Sequence, residues 1–171
     1  MAKQSPDVLV PQDVLEYYFG DNNGRGETAE IVQLLFVLRS TAQRANEAIS
    51  AWLEPFGLSA TTYNVLVFLG AAPGSALPLT TLVEHLHTRA TNVTAIVDSL
   101  ERRGFVQRKP NPADRRSTLA FLTPRGRATL RRAMPVQHAM LERVFAATSA
   151  PERKKLTALL TRINERVRET R

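Results

Sequence analysis

The sequence predicts a mainly α-helical chain carrying one small β hairpin, and three observations predict it. Apolar residues recur at a spacing of about 3.6 along most of the 171 positions. That spacing gives way to simple alternation only between residues 105 and 122. Proline, glycine, serine and threonine punctuate the pattern where helices would start and stop.

The elements follow in order. Residues 1–28 read as a polar arm with an apolar island, Val14 to Phe19, and a linker-like run from Gly20 to Gly26. From Thr28 a helix carries Leu34, Leu35, Leu38, Ala42, Ala45 and Trp52 on one stripe, until Pro55 and Gly57 stop it. Ser59 caps a second helix, apolar on nearly every side from Tyr63 to Leu69, which Pro73-Gly74-Ser75 ends. A short helix with Leu79, Leu82, Val83 and Leu86 inward comes next. After a break at Thr88-Arg89, another runs to Arg103 with Val93, Ile96, Val97 and Leu100 inward. Gly104 stands where a left-handed glycine would close it.

Phe105 to Lys109 and Ser117 to Leu122 then read as two strands, with Pro110 to Arg116 as the charged tip between them. Thr123 can cap a further helix with Pro124 at its first position, and Pro135 would interrupt or kink it. The last helix opens at Ser149 with Glu152 three residues on, a capping box, and bears the stripe Leu156, Leu159, Leu160, Ile163 and Val167.

Charge is more informative by position than in sum. The net +7 divides into −4 over residues 1–60, nothing over 61–79, +5 over 80–127 and +6 over 128–171. A basic middle behind an acidic start suits a polyanion on one surface. With no cysteine in the chain, disulfides, thiolate metal sites, cysteine nucleophiles and thiol redox switching are excluded. No apolar run is long enough to span a bilayer, and Met1 to Asp7 lead into no secretory h-region, so a soluble cytoplasmic protein is expected. The three histidines, His85, His87 and His138, accompany no nucleophile–base pair or phosphate-cradling loop, which argues against an enzyme and predicts no cofactor.

Two short helices about a tight turn, followed by a hairpin with a basic tip, describe a winged helix-turn-helix. A helix fits the major groove of double-stranded DNA, where base edges carry a distinct donor and acceptor code. A guanidinium at a hairpin tip can enter the narrower minor groove beside it. The second helix leaves Arg89, Thr91, Asn92 and Thr94 on its start and outer face, where capping and solvation would account for them as well as base or phosphate contact.

Four stretches in order resemble the multiple-antibiotic-resistance regulator (MarR) family of winged-helix repressors. These are Leu79 to Leu86, Asn92 to Arg108, Asp114-Arg115-Arg116, and Leu122-Thr123-Pro124-Arg125-Gly126. The resemblance implies a winged helix-turn-helix over residues 59–124, with dimerisation helices over 29–55 and 125–171, and it leaves the arm at 1–28 without a counterpart. It implies that Arg116 is the wing arginine of the minor groove, that Asp114 holds that arginine in place, and that Asn92 and Thr94 face the major groove. Arg89, Thr91 and Arg115 become phosphate or flanking contacts. For Arg102, Arg103, Arg108 and Lys109 a solvated surface serves equally well.

The resemblance further implies a homodimeric repressor on a pseudo-palindromic operator, released by a small anionic or phenolic effector. Arg39, Trp52, Phe56 and Tyr63, with His138 nearby in character, are candidates to line its pocket. Two other readings stay open at this stage: a winged module that docks on another regulator, and a zinc-sensing repressor. His85 and His87, two apart on a helix, lack the spacing a metal pair favours, so no metal site is assigned.

Overall fold

The computed structural model describes Tyr17 and residues 27–112 and 114–170, the side chain of Arg115 excepted. The expected arm over 1–28 lies outside the described residues except for Tyr17 and its last two, Glu27 and Thr28, which already belong to a helix. Contacts divide the chain into two units that meet between Asn64 and Val65.

In the first unit, α1 (Glu27–Leu53) is followed by a single 3-10 turn, Glu54–Phe56. Gly57 closes this turn at φ 66, a left-handed conformation natural to glycine, and its N–H donates to the Glu54 carbonyl at 2.7 Å. Ser59 and Thr62 then cap α2 (Ala60–Ala71) reciprocally: the Ser59 N–H donates to Thr62 Oγ1 at 2.7 Å, and the Thr62 N–H to Ser59 Oγ at 3.2 Å. Most of α1 is open to solvent; Ile31, Leu34 and Leu35 are more than half exposed.

The second unit holds the rest of α2, then β1 (Ala76–Pro78), α3 (Leu79–Leu86), α4 (Ala90–Arg102), β2 (Val106–Asn111), β3 (Asp114–Leu122), α5 (Pro124–Val144) and α6 (Ala150–Glu169). β1 has no counterpart in the sequence reading. Its three residues, one of them proline, are too few to show alternation, and only pairing with Leu119, Ala120 and Phe121 of β3 makes them a strand. The sheet is antiparallel in the order β1-β3-β2. Leu66, Leu69, Leu82, Val93, Val97 and Leu100 are fully enclosed, as the helical periodicity requires, and so is Ala120 of β3.

Two other expectations change. α5 runs through Pro135 without a break. The strands also reach further than the alternation suggested, so Asp114, Arg115 and Arg116 lie within β3 and not in a loop. Ser149 and Glu152 form the expected capping box, and the Ser149 hydrogen bonds hold the Glu152 carboxyl below its ordinary pKa. No helix of the described residues is long and apolar enough to cross a membrane.

Candidate nucleic-acid interface

α3 and α4 are joined by a turn in which His87 takes a left-handed backbone, φ 48 and ψ 41, so that Arg89 can start α4 from an extended conformation. α4 divides along its length. Val93, Val97 and Leu100 are buried, while Thr91, Asn92 and Thr94 are exposed, as is Arg89 at the N-cap. Asn92 Nδ2 donates to Thr88 Oγ1 at 3.0 Å, and Thr94 Oγ1 donates to the Ala90 carbonyl at 3.0 Å. Each contact orients a short polar group on the outer face, the Asn92 carbonyl oxygen and the Thr94 hydroxyl lone pairs remaining as acceptors.

The wing owes its shape to a register shift. Pro110 pairs with Thr118, yet Asn111 pairs with Asp114, so one step along β2 spans four along β3. Residues 115–117 are the surplus, and they form a bulge that carries Arg116 outward. Pro110 itself has no N–H to offer the ladder, which suits a site where pairing lapses. The Asp114 carboxylate accepts from the Arg116 backbone N–H at 3.0 Å. It therefore holds the backbone on which Arg116 stands, and the Arg116 guanidinium is in no ion pair among the described residues. Arg115 lies in the same bulge, its side chain outside the described set.

Arg108, for which the sequence left DNA contact and a solvated surface both open, clamps β2 to α4. Its guanidinium is paired with Asp98 and donates to the Thr94 carbonyl at 3.1 Å, while its backbone N–H donates to Glu101 Oε1 at 2.7 Å. Its buried Nε faces Glu101 Oε2 at 3.8 Å, beyond hydrogen-bonding reach. The signal was available: Asp98 and Glu101, three apart, share one helix face and precede an arginine just past the closing glycine. Lys109 likewise lies over the Phe121 ring, its Nζ 5.2 Å from the centroid. Arg103 and Arg125 approach the Phe105 ring at 4.7 and 5.4 Å.

The base of the wing explains the Leu-Thr-x-x-Gly stretch. Thr123 Oγ1 donates toward the Gly104 carbonyl at 2.7 Å and the Phe105 carbonyl at 3.1 Å, and accepts from the Gly126 N–H at 3.0 Å. One hydroxyl thus caps α5 and ties it to the end of α4. A Cβ on Gly126 would lie 2.2 Å from the Phe105 carbonyl oxygen, so no larger residue fits there. Gly104, at φ 71, closes α4 as expected.

Of the candidates for an effector pocket, Arg39 and Trp52 are exposed, Phe56 is half-buried and Tyr63 is 4% exposed, its phenol pKa raised by burial. His138 is exposed on α5. The His85 ring stacks on Phe68 with centroids 4.9 Å apart. No group of three or more metal-ligating side chains gathers among the described residues.

Residues 56–117 match the model of the MarR family. The chain is 32% identical over 115 residues to an HTH-type transcriptional repressor of Mycobacterium tuberculosis, Rv2887, covering 67% of this chain and 81% of that protein. It is 30% identical over 115 residues to the transcriptional repressor MprA of Escherichia coli, covering 67% of this chain and 65%, just under two thirds, of that protein. Among solved structures, Sco3205 of Streptomyces coelicolor, a MarR family transcriptional regulator in complex with DNA, superposes at a TM-score of 0.76 with 26% identity, over 82% of this chain and 89% of that one. AbsC of the same organism gives 0.76 at 23% identity over 85% and 97%, a likeness of fold.

Proposed function

This chain belongs to the MarR family, and from that premise we propose that it is a sequence-specific regulator of transcription that binds double-stranded DNA in the cytoplasm, not an enzyme. One observation carries the reading: the exposed polar face of α4 and the bulged Arg116 share one frame, since Arg108 ties α4 to β2 and β2 pairs with β3, which bears Arg116. A helix for the major groove together with an arginine for the minor groove suits the two kinds of readout that duplex DNA offers. The relatives named as repressors support the same sign of regulation here. Asn92 and Thr94 read base edges, Arg116 enters the minor groove, and Arg89, Thr91 and Arg115 hold phosphates.

A single reading head covers few base pairs, so we assign the function to a homodimer on a pseudo-palindromic operator. Support comes from two long apolar stripes open to solvent: Ile31, Leu34 and Leu35 on α1, and Leu156, Leu159, Ile163 and Val167 on α6. A small anionic or phenolic effector would release the operator, with Arg39 pairing its charge and Trp52, Phe56 and Tyr63 its ring; this follows from residue chemistry alone. Arg116→Ala tests the DNA reading in a binding assay on the DNA upstream of the protein's own gene. An affinity at least tenfold weaker is expected, and an unchanged one would refute it.

A further inference from the structure

The +6 of the C-terminal segment has no role in the reading head as described so far. One of its arginines nevertheless reaches that head. A cleft of about 720 Å³ is lined by Glu84 of α3, by Thr88, Arg89, Thr91 and Asn92 at the start of α4, and by Arg168 of α6. Arg168 thus stands far along the chain from the candidate DNA contacts yet shares one concave surface with them. It is exposed and in no ion pair among the described residues.

Its place on the helix matters as much as its place in space. At about 100° per residue, Arg168 lies roughly a quarter turn or more from the stripe Leu156, Leu159, Ile163 and Val167. It falls instead on the polar side with Thr157, Thr161 and Asn164. Covering the apolar stripe with a second copy therefore leaves this guanidinium free. The lining sets two arginines, two threonines, Asn92 and His87 against one carboxylate, Glu84, so the balance favours an anion.

We propose that this cleft seats a backbone phosphate of the bound duplex, and that Arg168 is a DNA contact supplied from outside the winged helix-turn-helix. The proposal rests on the DNA-binding reading above. Because the contact is to phosphate, it adds affinity without sequence preference. A dimer carries two such clefts, and each phosphate neutralised contributes about one to the slope of log K against log salt.

The test is a salt titration of full-length Arg168→Ala and Arg168→Lys on the operator and on an unrelated duplex, with sedimentation of the free proteins. Arg168→Ala should weaken binding to both duplexes about three- to tenfold and flatten the salt slope by about two per dimer. Arg168→Lys should keep the slope. An unchanged slope in Arg168→Ala overturns the proposal, and so does dissociation of its dimer, which would place Arg168 in the subunit contact. Binding of inorganic phosphate that depends on Arg168, with DNA binding unaltered, would assign the cleft to a small free anion and also overturn it. If the wild type binds no duplex, the DNA reading itself fails, whereas wild-type binding lost in Arg116→Ala but unaffected by Arg168→Ala removes this inference alone.

Discussion

Gly126→Ala sets two effects of opposite sign against each other at the base of the wing. Gly126 is the third residue of α5, and alanine in place of glycine in a helix ordinarily stabilises by up to about 1 kcal/mol. The added Cβ, however, would stand 2.2 Å from the Phe105 carbonyl oxygen and 2.8 Å from Leu122 Cδ1. The leucine methyl can rotate away. The carbonyl cannot, because it accepts from the Thr123 N–H at 3.1 Å and the Thr123 hydroxyl at 3.1 Å, and its chain ends α4. Relief requires the backbone joining α4, the wing and α5 to separate by roughly 1 Å, a close-packed displacement of the kind that costs about 1–3 kcal/mol or more. The Thr123 hydrogen bonds lost with it are worth about 0.5–1.5 kcal/mol each. The clash wins, with a net loss of about 2–3 kcal/mol, which for a chain of this size lowers the melting temperature by about 4–12 °C. Thermal unfolding followed by circular dichroism at one fixed protein concentration measures this. Gly70→Ala is the control, since its Cβ meets only leucine methyls, Leu130 Cδ2 at 3.2 Å and Leu122 Cδ2 at 3.6 Å, and it should melt within a few degrees of wild type. A Gly126→Ala protein as stable as wild type, or more so, would refute the reasoning.

The Asp98–Arg108 clamp should matter for how firmly the wing is held against α4. Arg108→Ala and Asp98→Ala should each weaken operator binding several-fold at unchanged helix content, and the exchange Asp98→Arg with Arg108→Asp should recover part of it; no recovery would count against a charge clamp. On α6, Leu159→Glu places a carboxylate in the exposed stripe. Sedimentation should then show a species of 19.0 kDa in place of one twice that mass, and a persisting dimer would take α6 out of the interface.

Much of this was legible because helical periodicity, caps and glycine stops are local. Val93, Val97 and Leu100 declare the buried side of α4 by spacing, and Gly104, Thr123 and Ser149 each mark a helix end through bonds to near neighbours in the chain. What escaped was non-local. β1 exists only through pairing with a strand more than forty residues on, and three residues carry no period of their own. Pro135 reads as an interruption or a kink, yet α5 continues through it without interruption.

The sequence by itself determined the helices and the two wing strands, their order, and the residue types a reading head needs: Asn92 and Thr94 on a helix, Arg116 near a hairpin tip. The tertiary structure decided which cations are structural and which are free. Arg108, Arg116 and Arg168 are the same side chain in a basic chain, and motif and spacing alone do not say what each one touches. Packing does: one meets Asp98 across β2 and α4, one stands on a bulge set by a three-residue register shift, and one arrives at the cleft beside α4 from the far end of the chain. Charge carries its meaning through what lies within a few ångströms, and only the folded chain sets those neighbours.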